Sequence, residues 1–253
     1  IVKTSATGFV LASASSRVLI AGADLKSIQA MNDRDLDAYL AYGQRVFGMI
    51  ADLPFPTAAA INGAALGGGL EIAMHCDALI GAPSASGKPY PIGLPEAGLS
   101  ICPGWGGTNL LPARMDAEDA IRRTAIGKPM TSEEAIAAGL FDMMAQSTES
   151  LLPVCKQWIV DRRSAGTPSR NGTPSRWIGN TDARARVIAA MPNLRDQLPQ
   201  TDSARAVMMA VNAGLEHGWQ SALDLERREL VRLRSTPPGK AAIEAFFEKS
   251  KKS

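Results

Sequence analysis

Two stretches of small residues constrain this chain more than any other feature: Ala21-Gly22-Ala23-Asp24-Leu25-Lys26 and Leu66-Gly67-Gly68-Gly69-Leu70-Glu71. Each leads toward a helix, and the first N–H groups of a helix lack intrahelical partners and attract negative charge. Brought together, the two stretches can aim two backbone N–H groups at one carbonyl oxygen, forming an oxyanion hole. Removing one such donor typically costs about 2.7–4 kcal/mol of transition-state stabilisation. Two of them can support chemistry with no reactive nucleophile, so that only proton transfer is left to side chains.

Two glutamates suit that task. Glu71 lies in GGGLEIAMHCD and Glu96 in IGLPEAGLSICPGWGG, each beside glycine-rich or proline-bounded chain in apolar surroundings. Apolar burial raises a carboxyl pKa and fits it to exchange protons near neutral pH. Read alone, each has a plainer use: Glu71 could cap its own helix, and Glu96 could sit in a surface turn.

The bulk numbers remove other chemistries. With 253 residues, 45% of them apolar, the chain can bury a sizeable core. Lys+Arg 27 against Asp+Glu 25 leaves a charge of +2, which asks for neither nucleic acid nor an anionic membrane. Cys76, Cys102 and Cys155 are widely spaced in apolar context, as expected of reduced thiols in a cytoplasmic protein. His75 and His217 are the only histidines, too few for a zinc site or a Ser-His-Asp triad. No stretch reaches the roughly 20 apolar residues of a membrane span. Because the sequence opens on Ile1 rather than Met, a segment upstream is expected.

Along the chain, strands are expected at Gly8-Phe9-Val10-Leu11-Ala12 and Val18-Leu19-Ile20. Leu36, Leu40, Val46, Phe47 and Ile50 form a helical stripe over 33–51, with Asn32 as N-cap. Thr57-Ala58-Ala59-Ala60-Ile61-Asn62 reads as a buried strand, and Ala78-Leu79-Ile80 begins another. Strands alternating with helices over residues 9–130 indicate an α/β domain with partly parallel strands. Thr131-Ser132-Glu133-Glu134 is a capping box opening a helix that stops at Gly139. Gly-Thr-Pro-Ser-Arg occurs at 166–170 and again at 172–176, within an expected flexible loop over 164–176. Helices follow at 203–216, 219–234 and 239–249, separated by Gly218 and by Pro237-Pro238-Gly239. The division is therefore a core at 1–145, lacking its N-terminal part, and a helical C-terminal region at 146–253.

The segments AGADLKSI, FPTAAAINGAALGGGLEIAMHCD, GLPEAGLSICPGWGGT and AIRRTAIGKPMTSEEAIAAGLFD, in this order, resemble the enoyl-CoA hydratase/isomerase (crotonase) family. The similarity is dense from Gly8 to Asp142 and thinner at Ala245-Phe246-Phe247-Glu248-Lys249. It implies a crotonase-like ββα spiral core with a C-terminal helical appendage, an acyl-CoA thioester substrate, and a homotrimer or dimer of trimers. It implies no cofactor and no metal, since coenzyme A belongs to the substrate. By position, Ala23 and Gly68 match the two oxyanion donors, Glu71 the group that activates water, and Glu96 the group that protonates the α-carbon. Gly104 matches a water-positioning glycine. Ala21, Asp24, Lys26, Trp105 and Lys249 are placed beside the substrate, with Lys26 and Lys249 toward the CoA phosphates and Lys249 reaching a neighbouring subunit.

Three departures stand out. Only Ile1 to Thr7 precede the first strand, whereas the family carries a longer N-terminal part that helps bind CoA. The stretch from Pro83 to Pro91 is longer than is typical. Trp105 replaces a small residue beside the expected acyl pocket, either shortening the acyl group or facing the core. The tail at 246–253 and the insert at 162–180 resemble the hydratase half of fused hydratase/3-hydroxyacyl-CoA dehydrogenase proteins, although no G-x-G-x-x-G fingerprint is present.

Having both glutamates favours an enoyl-CoA hydratase adding water across the 2,3 double bond. A Δ3-Δ2-enoyl-CoA isomerase or another crotonase-type lyase, with Glu96 as the sole proton shuttle, is the alternative within the family. A non-catalytic scaffold or RNA-binding homologue is the alternative outside enzymes, and the near-neutral charge weighs against RNA. A phosphate-binding P-loop fails because no Gly-Lys-Ser/Thr follows Gly69.

Overall fold

The computed structural model describes residues 5–166, 170–194 and 196–250. Part of the expected 164–176 loop, residues 167–169, and the tail at 251–253 lie outside the described residues, as do residues 1–4. Strands β1 (Phe9–Leu11), β3 (Thr57–Ile61), β5 (Ala78–Gly81) and β8 (Met143–Met144) form one parallel sheet in the order β1-β3-β5-β8. Strands β2 (Val18–Ile20), β4 (Ala64–Leu66), β6 (Pro91–Gly93) and β7 (Met130–Thr131) form a second, in the order β2-β4-β6-β7, with only the β6–β7 pair antiparallel. Each early turn of the chain therefore contributes one strand to each sheet before its helix, which is the stacked ββα spiral.

The helices follow their local signals. In α1 (Leu25–Ala30) the Asp24 carboxylate accepts from Lys26 N, and in α2 (Asp33–Ala51) the Asn32 side chain accepts from Asp35 N. Helix α3 (Gly68–Met74) carries Glu71, and α4 (Gly107–Leu110) and α5 (Ala117–Ile126) follow the Cys102–Gly107 turn. Helix α6 (Ser132–Ala137) opens with the Thr131/Glu134 capping box, and Gly139 after it has a φ of +73°. Beyond it run α7 (Thr148–Ser164), α8 (Thr181–Leu194), α9 (Asp202–His217), α10 (Trp219–Arg234) and α11 (Pro237–Ser250).

One expectation needs correction. Pro237-Pro238-Gly239 does not separate helices but forms the first turn of α11, where missing or unpaired N–H groups cost nothing. The Thr236 side chain accepts from Gly239 N at 3.2 Å and caps that turn.

The alternation of β3 divides the interior. Ala58 and Ala60 face a cluster with Leu151, Cys155 and Ile159 of α7, whereas Ala59 and Ile61 face a cluster with Leu70 and Met74 of α3. A third cluster joins Leu36 and Leu40 of α2, Ile121 of α5, Val207 and Val211 of α9, and Leu230 and Leu233 of α10. The last helices are thus packed on the element that the sheets and α2 frame. All three cysteines are free and buried.

Candidate active site

A cavity of about 480 Å³ opens where the two small-residue stretches meet. Its wall includes Ala21 and Ala23, Gly67 and Gly68, Glu71, Glu96, Gly104 and Trp105, together with Leu230 and Phe246. Segments distant in sequence are brought together because β2 and β4 are parallel neighbours: Ile20 pairs with Ala65, so both chains leave the sheet on the same side. Close approach there requires glycine. A Cβ on Gly69 would lie 2.2 Å from Ile20 O, and Gly67 has a φ of +53°. The N–H groups of Ala23, Gly68 and Gly104 donate to no acceptor within the described residues.

Glu71 is buried, with 1% of its surface exposed, yet it does not cap its own helix. Its Oε1 accepts from Trp105 N at 2.8 Å and Gly107 N at 2.9 Å. Burial pushes its carboxyl well above the ordinary range and Glu96 and Glu226 add repulsion, while the two amides oppose the shift. Glu96 follows Pro95 as the first residue of a 3-10 turn (Glu96–Leu99). The residue as a whole is partly exposed, but its Oε2 is shut off from solvent with no hydrogen-bond partner. Burial, helped by the charge of Glu226, pushes it up to about 8. The two carboxyls are close enough to titrate as a pair. Burial pushes both carboxyls up, so the pair holds a proton at neutral pH; Glu71 has two amide donors on it, whereas Glu96 Oε2 has none.

The turn after Cys102 is held from every side. Gly104 O accepts from the Gln44 side chain at 2.9 Å, and Trp105 O lies 3.0 Å from His75 Nε2. Burial depresses His75 to about 4, so the ring is neutral and donates through Nε2–H. Glu226, on α10 and fully buried, accepts from Gly106 N at 2.6 Å, Thr108 N at 3.0 Å and Thr108 Oγ1 at 2.6 Å. Burial raises its carboxyl, and these three donors oppose the rise.

Trp105 both packs into the core and lines the cavity. Its Nε1 donates to Leu40 O at 3.2 Å, and its ring packs on Tyr39 and Phe47 of α2. The six-membered edge also lies over Gly68, where a Cβ would stand 2.4 Å from the ring, so the indole forms one end of the cavity.

Three sequence-derived candidates fall outside the cavity wall. Asp24 is spent on capping α1, accepting from Lys26 N at 3.0 Å and Ser27 Oγ at 2.7 Å. Lys26 is exposed, its Nζ 6.0 Å from the Phe247 ring centre. Lys249 lies in the last turn of α11, and that helix packs on the chain's own 96–99 turn. Sequence reasoning missed Gln44, His75 and Glu226. Glu226 stands in LDLERRELVRLR, where its charge is indistinguishable from a solvated helix face; only its place on the Leu223/Leu230 apolar stripe marks it as inward. Among the described residues, no helix is long and apolar enough to cross a membrane, and no cluster of three His, Cys, Asp or Glu side chains could hold a metal.

Parallel strands feeding backbone amides and two buried carboxyls into one cavity define a crotonase-fold protein. The chain belongs to the enoyl-CoA hydratase/isomerase family, which it matches over residues 2–165. It is 30% identical over 246 residues to the fatty acid oxidation complex subunit alpha of Vibrio cholerae serotype O1, covering 95% of this chain and 34% of that protein. It thus spans about a third of the length of the curated relatives it matches. Among solved structures it superposes on an enoyl-CoA hydratase from Bacillus anthracis with a TM-score of 0.55, at 26% identity and over 96% of this chain and 79% of that one. Human mitochondrial delta3-delta2-enoyl-CoA isomerase gives a TM-score of 0.66 at 20% identity over 99% of this chain and 82% of that one, a likeness of fold.

Proposed function

We propose that this chain hydrates 2-enoyl-CoA thioesters. The observation that carries the reading is the pairing of Glu71, held by two amides, with Glu96, whose Oε2 has no partner, on one cavity. The thioester oxygen sits between Ala23 N–H and Gly68 N–H. A water beside Gly104 gives a proton to Glu71 as its oxygen bonds C3, and the double-bond electrons move to the thioester oxygen as an enolate. The enolate then collapses and C2 takes the proton of Glu96. The site resets when the proton on Glu71 passes to Glu96. Two backbone donors aimed at the developing oxyanion supply the main electrostatic help.

Lys26, three residues beyond Ala23, is the candidate for the CoA phosphates on this side. The indole of Trp105, closing the cavity at Gly68, favours short acyl groups. The family's trimeric assembly and a cytoplasmic setting are taken over with this reading.

The test is to incubate the protein with crotonyl-CoA and longer 2-enoyl-CoA esters and follow loss of conjugated thioester absorbance, with 3-enoyl-CoA esters in parallel. Hydration of the 2-enoyl esters is expected. Formation of 2-enoyl from 3-enoyl esters with no hydration would replace the reading with the isomerase, and no turnover of either would end it.

A further inference from the structure

Four consecutive amides of the turn at 105–108 alternate between two buried carboxylates. Trp105 N and Gly107 N donate to Glu71, and Gly106 N and Thr108 N donate to Glu226, which also accepts the Thr108 hydroxyl. The peptide planes of one short segment thus point alternately to α3 and to α10. Neither carboxylate can lose its donors without turning the planes that serve the other. The carbonyls of Gly104 and Trp105, at the start of this turn, are held by Gln44 and His75.

We propose that Glu226 is a positioning residue for the hydration reaction: it clamps Gly106 and Thr108 so that the Trp105 and Gly107 amides stay on Glu71, and its three donors favour a charged carboxylate beside the Glu71–Glu96 pair. The proposal rests on the hydratase reading above. Glu226 touches no reacting atom in this scheme. Its effect passes through Glu71, by hydrogen bonds, and through both glutamates, by charge.

Among the described residues, the titratable groups that face it are Glu71 on α3, Glu96 on the 3-10 turn and Cys102, whose Sγ lies 3.4 Å from Glu226 O. The neighbouring cation on its own helix, Arg227, is turned to Asp37 at 2.7 Å and Asp224 at 3.2 Å. Among the described residues, no Lys, Arg or His side chain forms an ion pair with Glu226. Its charge acts to keep the proton on Glu96, and removing it lets both glutamates ionise more readily.

The experiment compares wild type with Glu226→Gln, Glu226→Asp and Thr108→Val, in hydration kinetics across pH and in amide hydrogen exchange of peptides covering 103–110. Glu226→Gln removes the charge and sets an amide NH2 against a backbone N–H. It is expected to lower kcat about tenfold or more with KM changed less than about threefold. The alkaline limb of the kcat profile, where Glu96 loses its proton, is expected to move down by about half a pH unit or more. Glu226→Asp restores the charge and should return the limb toward wild type while keeping part of the kcat deficit. A folded Glu226→Gln with wild-type kcat, or with a kcat loss and an unmoved limb, overturns the proposal.

Should Glu226→Gln fail to fold, Thr108→Val removes one of the three hydrogen bonds and is expected to lower kcat severalfold at unchanged KM. Unchanged kcat there overturns the proposal as well. If wild type hydrates no enoyl-CoA, it is the functional reading that has failed. The clamp is then judged by exchange alone, and unaltered protection at 105–108 in Glu226→Gln or Thr108→Val overturns it.

Discussion

Glu71 and Trp105 are joined twice over: the Trp105 N–H donates to Glu71 Oε1 at 2.8 Å, and the indole ring covers Gly68, at the start of the helix that carries Glu71. One residue therefore orients the proposed base with its backbone and bounds the proposed oxyanion donor with its side chain. A change of side chain at 105 alters the shape of the cavity while leaving the amide that Glu71 needs.

Trp105→Ala is accordingly expected to widen the range of substrates more than to abolish turnover. The ratio of kcat/KM for decenoyl-CoA over crotonyl-CoA should rise about tenfold or more, since opening space for several methylenes is worth a few kcal/mol. Stability should fall by about 3–5 kcal/mol, as for other buried aromatic truncations. Parallel kinetics and denaturant melts check both, and an unchanged ratio would place the acyl chain elsewhere.

The two carboxyls should be separable by isosteric replacement. Glu96→Gln and Glu71→Gln are each expected to lower kcat for hydration by about 100- to 10,000-fold, the usual worth of a positioned acid or base, with KM little changed. Initial-rate kinetics on crotonyl-CoA measure this. Full turnover in both variants would leave the two-glutamate scheme without support.

Glu96 also makes stability depend on pH. With its carboxyl pushed up to about 8, the folded chain keeps a proton that the unfolded chain has released above about pH 4.3. The folded state binds more protons in that window, so this group's contribution to stability falls as pH rises from about 4.3 to about 8 and then levels off. Glu96→Gln removes that loss. Its stability relative to wild type, measured by urea unfolding at each pH, should climb steadily between pH 5 and pH 8, reaching a gain of about 1–3 kcal/mol after discounting for the partly exposed residue.

A different ion pair has the opposite sign. Arg170 binds Asp77 through two contacts, at 2.7 and 2.8 Å, and also reaches Phe55 O at 3.0 Å. Burial tends to raise Asp77, but Arg170 and the Thr57 N–H outweigh it and hold the carboxyl below its usual value. That stability is present above the unfolded pKa of about 3.9 and is lost as pH falls through the depressed folded value. Arg170→Ala is expected to cost about 2–4 kcal/mol at pH 7, the penalty of leaving a largely buried charge unpaired. Urea unfolding at pH 7 and pH 3 should show the deficit shrinking at the lower pH.

Much of the fold and of the site is legible in the sequence, for reasons that differ by element. Helix α2, its Asn32 cap and the Thr131/Glu134 capping box are local, so spacing alone reveals them. Glu71 and Glu96 were marked by apolar, glycine-rich neighbours that persist in the fold. Strands β7 and β8 are two residues each and exist only because β6 and β5 offer edges, so no local pattern announces them. Glu226 was hidden for a related reason. Its partners are the amides of residues 106 and 108, more than a hundred positions earlier, and a charged residue among arginines reads as solvated until that turn is seen against it.

The cavity wall runs from Ala21 to Phe246, and α11 closes it by folding onto the chain's own 96–99 turn. During synthesis the Ala21–Ala23 stretch, both glutamates and the indole all leave the ribosome well before Phe246, which completes the wall. In the hydration scheme proposed above, shielding the carboxyls from water depends on α11 lying against the 96–99 turn.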